Sequence, residues 1–197
     1  GGYECGAEVH IKWIESEDVT EASAPAVFRD IDGIIVPGGF GDRGIEGMIN
    51  AARYARENNI PYLGLCLGMQ IATIEFARNV LGYGDANSNE FDPSSAHKVI
   101  DFMKGQSDEI EKGGTMRLGA YPCVIKTGSM LEKCYGTSEI QERHRHRYEF
   151  NNDFREEFIS HGMDIVGTSP DHGLVEAVEV SANRVHIGVQ YHPEFKS

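Results

Sequence analysis

Apolar positions along the chain fall into short unbroken runs and longer stripes of helical period. Residues 60–65, Ile-Pro-Tyr-Leu-Gly-Leu, form a largely apolar run of strand length. The segment 67–81 that follows is apolar on most sides, through Ile71, Ala72, Ile74, Phe76 and Val80, and reads as a covered helix. Upstream, Ile34, Ile35 and Val36 make a buried strand that Pro37-Gly38-Gly39-Phe40-Gly41 stops abruptly. Ile45, Met48, Ile49, Ala52 and Ala55 then recur at the helical period up to Asn58-Asn59. Nearer the start, residues 9–14 alternate as a strand does, 16–19 read as a loop, and 22–28 as a short helix broken at Pro25; residues 1–6 are small and polar. Strands alternating with helices at this spacing predict an α/β fold, a mostly parallel central sheet with helices on both faces and a flavodoxin-like core.

The second half is less periodic. Residues 82–96 are a Gly/Asn/Asp/Ser loop too long to be filler in a compact domain. Residues 98–103 and 118–126 read as strands, 106–114 as a charged mobile stretch, and 131–135 as a helical turn. Residues 139–150 are extended, with histidines and arginines alternating. Residues 153–159 read as a helix capped by Asn152, and 163–168, 174–180 and 185–190 as three strands. No linker composition interrupts the chain, so it reads as one domain over residues 1–197.

Composition narrows the function. A formal net charge of −13 argues against a nucleic-acid or membrane-binding surface. No apolar run approaches the length of a membrane span, and no secretory signal opens the sequence. Four cysteines without CxxC or framework spacing suit free thiols in a reducing, cytoplasmic compartment. The eight histidines form neither HExxH nor a zinc pattern, so no metal site is expected.

The candidate chemistry centres on Cys66. Gly64-Leu65-Cys66-Leu67-Gly68 lies where a strand turns directly into a helix, which is the arrangement of a nucleophile elbow with Cys in place of Ser. The helix N-terminus behind the sulfur favours thiolate. His192 and Glu194, two residues apart at a strand's end, can supply a base and the carboxylate that orients it. The glycine-rich turn at 37–41 exposes backbone N–H groups that can make an oxyanion hole, with the Leu67 N–H as the natural second donor. A phosphate-cradling loop is the lesser reading, because no Gly-Lys-Ser/Thr follows.

These pieces together resemble the class I (triad) glutamine amidotransferases over residues 32–197. The elbow and His192-Pro193-Glu194 are general to that class. More specific stretches are Asn87-Ser88-Asn89-Glu90-Phe91, Gly113-Gly114-Thr115-Met116-Arg117-Leu118-Gly119 and Glu142-Arg143-His144-Arg145-His146-Arg147-Tyr148-Glu149, which are similar to the glutaminase domains of the CTP synthase family. The resemblance implies a Cys66 nucleophile, a His192 base, Glu194 as its partner, and Gly39 and Leu67 at the oxyanion. It implies glutamine held by Gly39, Leu67, Gly68, Met69, Gln70, Glu90 and Arg147. Chemically, Arg147 suits the α-carboxylate of free glutamine and Glu90 its ammonium.

The resemblance further implies GTP as an allosteric activator, touching Phe40, Arg43 and Arg117. It implies a synthase domain of the same polypeptide that uses ATP and Mg to convert UTP to CTP, and a homo-tetrameric full enzyme. No cofactor is expected in this domain itself. Three departures stand out. The family domain carries a further strand and helix ahead of the position of Gly1, so a chain of only these residues is expected to expose a sheet edge and aggregate. Asp42 replaces a tyrosine or apolar residue, and no amidoligase domain is present in the sequence. Rival readings are a glutaminase subunit of another synthetase, a γ-glutamyl hydrolase lacking the Glu90/Arg147 clamp, and a catalytically silent regulatory module.

Overall fold

The computed structural model describes residues 2–102, 116–171 and 173–195. The apolar run before the elbow becomes β2 (Tyr62–Leu65), and the sheet is built outward from it. Strand β1 (Ile34–Val36) pairs parallel on one side and β10 (His186–Val189) parallel on the other. Beyond β10 the direction changes. Strands β9 (Val175–Val180), β8 (Met163–Thr168), β5 (Arg117–Ile125) and β6 (Glu139–His146) each pair antiparallel with their neighbour, in the order β1-β2-β10-β9-β8-β5-β6. The α/β expectation therefore holds, but the sheet is mixed, and its parallel part is confined to the three strands around the elbow. Short connections explain part of this: β8–β9 and β9–β10 are joined by residues 169–174 and 181–185, which allow antiparallel pairing without a crossover.

Helices α3 (Ile45–Glu57) and α4 (Leu67–Asn79) cover one face of the sheet. The stripe of α3 buries Ile45, Ile49, Ala52 and Ala55, while α4 is buried almost all round, from Leu67 to Ala77. Arg56 of α3 forks onto the fully buried Glu75 of α4 at 2.7–3.2 Å, so the acid inside this helix pair is matched. Helix α6 (Arg155–Ser160) adds Phe158 to the same layer, stacked on Phe76. On the opposite face α5 (Met130–Tyr135) packs Leu131 with Val166, Ile187 and Tyr191. Its cap is Ser129, which accepts the Glu132 N–H.

A second, three-stranded sheet consists of β3 (Asn87–Ser88), β4 (Lys98–Phe102) and β7 (Tyr148–Phe150). The extended stretch 139–150 thus serves two sheets, β6 in the large one and β7 in the small one, and Arg147 is the residue between them. The strand expected over 98–103 is β4, up to the end of the described segment. The charged stretch 106–114 lies outside the described residues.

Several expectations give way. Residues 9–14 form no strand; Val9, Ile11 and Trp13 are exposed and pair with no strand among the described residues. A period-2 pattern alone does not supply a partner. Pro25 does not break a helix but stands in the first turn of α2 (Ala24–Val27), where its missing N–H is harmless. Residues 16–18 are a 3-10 turn, and a four-residue helix, α1 (Gly2–Cys5), opens the described chain. The cap before α6 is Asn151, not Asn152: its side chain accepts the Asp153 N–H at 3.1 Å and starts a 3-10 turn, Asn152–Phe154.

His186 on β10 gives the fold a measurable acid weakness. Its ring is stacked on Tyr62 at 4.5 Å, and neither ring nitrogen has a hydrogen-bond partner. Burial, then the Arg56 charge, pushes its pKa down to about 4. It is neutral in the fold, whereas the unfolded chain protonates it near its ordinary value. Its contribution is therefore intact above about pH 6.5 and is lost as pH falls toward about 4, at about 1.4 kcal/mol per pH unit. His186→Phe keeps a ring on Tyr62 and removes the proton. In urea melts, the stability lost by this variant between about pH 7.5 and about pH 5 is expected to be about 2 kcal/mol less than the wild type loses. Equal losses in both proteins would refute the assignment.

Candidate active site

Cys66 ends β2 and caps α4, with φ 51° and ψ −100°. A non-glycine residue held there carries roughly 1–3 kcal/mol of backbone strain. Its surroundings enforce the conformation: the Cys66 N–H donates to Val189 O on β10 at 2.7 Å, and its carbonyl accepts the Met69 N–H at 3.1 Å. The flanking glycines are required by space. A Cβ on Gly64 would run into the Gly68 backbone, and one on Gly68 into the Val36 carbonyl. The elbow expected from the sequence is thus formed in full.

The thiol itself behaves differently from expectation. Cys66 is only 4% exposed, and burial pushes its pKa up to about 11. The Leu67 N–H and the Gln190 side chain pull it down, while the Glu194 and Glu90 charges push it further up. The helix N-terminus acts, but desolvation outweighs it. The resting sulfur is a neutral thiol, which directs its hydrogen toward Arg145 O at 3.9 Å. Ionisation therefore belongs to the reaction, by proton transfer to a base.

The candidate base, His192, is in place. After β10 the chain passes through Gln190 and Tyr191 to His192, whose N–H donates to Arg143 O of β6 at 2.8 Å. A 3-10 turn, Pro193–Phe195, then swings Glu194 back, and its Oε1 lies 2.7 Å from His192 Nδ1. The pair meets through this turn and not through an extended strand as the i, i+2 spacing suggests. With Nδ1–H held by the carboxylate, Nε2 is the free lone pair. The imidazole is clamped between the Phe195 ring, 4.9 Å away and nearly parallel, and Gly38. A Cβ on Gly38 would lie 2.7 Å from His192 Cε1 and 3.6 Å from Cys66 Cβ, so Gly38 is the point where base and nucleophile share a wall.

A cavity of about 210 Å³ opens beside the sulfur, lined by Gly39, Phe40, Cys66, Leu67, Gln70, Glu90, Met116, His146, Arg147 and Tyr148. Gly39 and Leu67 pack against each other there, since a Cβ on Gly39 would come 3.1 Å from Leu67 Cδ2. Glu90 enters from the segment after β3 and Arg147 from the hinge between the two sheets. The Glu90 carboxyl is held above its ordinary pKa by burial, which outweighs the opposing Gly41 N–H and Arg147 charge. Opposite charges thus stand around one small space, suited to a zwitterion. The exposed Phe40 ring forms the lip, with the Arg145 guanidinium 5.4 Å from its centre.

Four candidates do not join the cavity. Gly68 and Met69 face inward, Gly68 giving its carbonyl to Tyr62 OH and Met69 packing in the core. Arg43 points to solvent and pairs with Glu17 at 3.0 Å. Arg117 is buried, its guanidinium against Glu176 and 4.5 Å from the Tyr121 ring centre. Because β5 alternates faces, Arg117 takes the inward one.

Three residues to which the sequence assigns no role matter here. Tyr148 and Gln190 hold Gln70 from two sides. His146 lines the cavity and belongs to a buried cluster, His144, His146 and Glu176, whose donor atoms lie within 4.8 Å of one another. That spacing could serve a metal, and the ligands come from β6 and β9, too far apart in sequence for a pattern. Within it His146 Nδ1 lies 3.1 Å from Tyr148 O, His144 Nδ1 lies 2.8 Å from His146 Nε2, and Arg117 supplies the positive charge at Glu176, while His144 Nε2 and Glu176 Oε2 have no hydrogen-bond partner. Burial keeps both histidines neutral, their pKa values far below the usual range.

The family described as "Glutamine amidotransferase class-I" matches residues 1–197. A CTP synthase of Staphylococcus saprophyticus is 53% identical over 196 residues, and one of Staphylococcus aureus strain JH9 is 54% identical; each alignment takes in 100% of this chain and 37% of the relative. The chain thus spans little more than a third of the curated relatives it matches. The Trypanosoma brucei CTPS glutaminase domain, solved with bound acivicin, superposes with a TM-score of 0.93 at 39% identity, over 98% of this chain and 76% of that one. A glutamine amidotransferase from Thermotoga maritima shares the fold at a TM-score of 0.53 and 13% identity, over 95% of this chain and 60% of that one.

Proposed function

The chain belongs to the class-I glutamine amidotransferases, and on that premise we propose that it hydrolyses L-glutamine through a Cys66 thioester as the glutaminase part of a CTP-forming synthetase. One observation carries the reading: Cys66, the Leu67 N–H, Glu90 and Arg147 line a single cavity of about 210 Å³ beside the His192–Glu194 pair. The Glu90/Arg147 pair disfavours a hydrolase acting inside a peptide, whose substrate lacks at least one of the two α-charges of free glutamine.

In the proposed reaction His192 Nε2 takes the thiol proton as Sγ attacks the side-chain carbonyl carbon of glutamine. Charge moves onto the carbonyl oxygen, toward the N–H groups of Gly39 and Leu67. The carbon–nitrogen bond breaks, the proton on His192 passes to the leaving nitrogen, and ammonia departs. Water, deprotonated by the same imidazole, attacks the thioester and releases glutamate and the thiol. Glu194 holds the imidazole in the required tautomer and stabilises its cation.

In the whole enzyme ammonia would pass to a synthase domain that consumes ATP with Mg and aminates UTP, in a homo-tetramer. GTP activation is part of the same reading, but its three suggested contacts do not make one site: Phe40 and Arg43 face solvent while Arg117 is buried.

The test supplies the protein with L-glutamine and measures ammonia and glutamate, which are expected in equal amounts. A glutamine-shaped chloro ketone is expected to label Cys66 before Cys5 and Cys134, although those two are exposed. Preferential labelling of either, or ammonia without glutamate, would contradict the reading.

A further inference from the structure

Gln190, just past the end of β10, is fully buried and takes no part in the steps of the proposed reaction given above. Its side-chain nitrogen lies 3.6 Å from Cys66 Sγ. Its side-chain oxygen lies 3.3 Å from Gln70 Nε2, which is also 3.1 Å from the Tyr148 carbonyl oxygen. These contacts fix both amides. A backbone carbonyl only accepts, so Gln70 must turn its NH₂ toward Tyr148. The second hydrogen of that NH₂ faces Gln190, which must answer with its carbonyl. The NH₂ of Gln190 is then left facing the sulfur. The Gln190 backbone N–H donates to Glu176 O at 2.8 Å and holds the residue in position.

The sulfur's surroundings make that hydrogen bond consequential. Sγ sits in a buried site with the Glu194 and Glu90 carboxylates near it and the Arg145 carbonyl on one side, all unfavourable to negative charge. His192 is the base that receives the proton. Against the acids stand the Leu67 N–H and the Gln190 amide. The Leu67 N–H is also claimed by the oxyanion in the reaction, which leaves Gln190 as the donor committed to sulfur throughout.

We infer that Gln190 is a catalytic residue: its side-chain N–H stabilises the Cys66 thiolate, and Gln70, bonded to both Gln190 and the Tyr148 carbonyl, fixes that amide and ties the sulfur to the hinge that carries Arg147. The inference rests on Cys66 being the nucleophile of the proposed reaction, but its test needs no substrate.

The experiment follows alkylation of each cysteine by iodoacetamide across pH, resolved by peptide mass mapping, in the wild type, Gln190→Met and Gln190→Glu, beside melting temperature and glutamine kinetics. Loss of a hydrogen bond to a charged group is expected to raise the Cys66 midpoint by about one unit or more and to slow its alkylation near neutral pH about tenfold. Gln190→Glu is expected to raise it further by like charge. The exposed Cys134 serves as the internal reference and keeps its profile. For glutamine, kcat is expected to fall about tenfold with KM within about threefold, a split that a general packing defect would not produce. An unmoved Cys66 midpoint in Gln190→Met, or in Gln190→Glu should the first variant melt, overturns the inference. A wild type that does not turn over glutamine, with the midpoint still shifted in the variants, would overturn the proposed function and leave the thiolate assignment standing.

Discussion

Replacing Cys66 by alanine is expected to lower glutamine turnover by about 10⁴- to 10⁶-fold, and adding His192→Ala to that variant to cost almost nothing more. In the proposed reaction the two groups act as one unit, because the thiol is neutral at rest and has to hand its proton to the imidazole before or during attack. His192→Ala alone is expected to cost nearly as much. Glu194→Gln is expected to be milder, since an amide still contacts Nδ1 while giving up the carboxylate that stabilises the imidazolium. A thermal melt separates loss of chemistry from loss of fold. Alanine at φ 51° carries the same backbone strain as cysteine, so the melting temperature of Cys66→Ala is expected to stay near that of the wild type. The decisive measurement is kcat/KM for the single and double variants. Additive losses, multiplying in the double variant, would show that His192 does not serve Cys66.

Arg147→Ala and Glu90→Ala are each expected to raise the glutamine KM about 10- to 150-fold, the value of a charge-assisted hydrogen bond to one end of the substrate. The two variants are expected to differ in kind. Arg147→Ala loses discrimination against glutamine amidated at its α-carboxyl, and Glu90→Ala against N-acetylglutamine. Alkylation of Cys66 by a small electrophile is expected to persist in both, because elbow and base are untouched. Glu90 lies close enough to Cys66 to oppose its ionisation, so its removal is expected to quicken that alkylation slightly. Kinetics with glutamine and the two analogues decide the matter: unchanged substrate ratios in both variants would place the clamp elsewhere.

The parts of this site that are local in sequence were legible there. Gly64, Cys66 and Gly68 are adjacent, and strand, turn and helix follow from the periods on either side. His192 and Glu194 were legible as a pair, though the turn that joins them was not, because nothing in two residues distinguishes a strand end from a 3-10 turn. The direction of the thiol's ionisation was hidden, since a helix N-terminus can be read from sequence while burial cannot. Gln190 and Tyr148 escaped because their partners are 124 and 78 residues away. The same limit applies to the fold. The helical stripes of α3 and α4 identified their buried faces, whereas the mixed sheet and the separate β3-β4-β7 sheet depend on which strands meet. Arg117 shows the cost of carrying a role over by motif alone: a charged residue in a specific stretch turned out to be an internal counter-ion.

Arg147 stands at the one-residue junction between two sheets, and the labour of the site divides along that junction. The elbow and the base belong to the large sheet, while Glu90 and the strand following Arg147 belong to the small one. The residues proposed to hold the substrate and those proposed to attack it therefore come from different sheets. Gln70, held at 3.1 Å by the Tyr148 carbonyl of the small sheet and at 3.3 Å by Gln190 just past β10, is a rivet between the two.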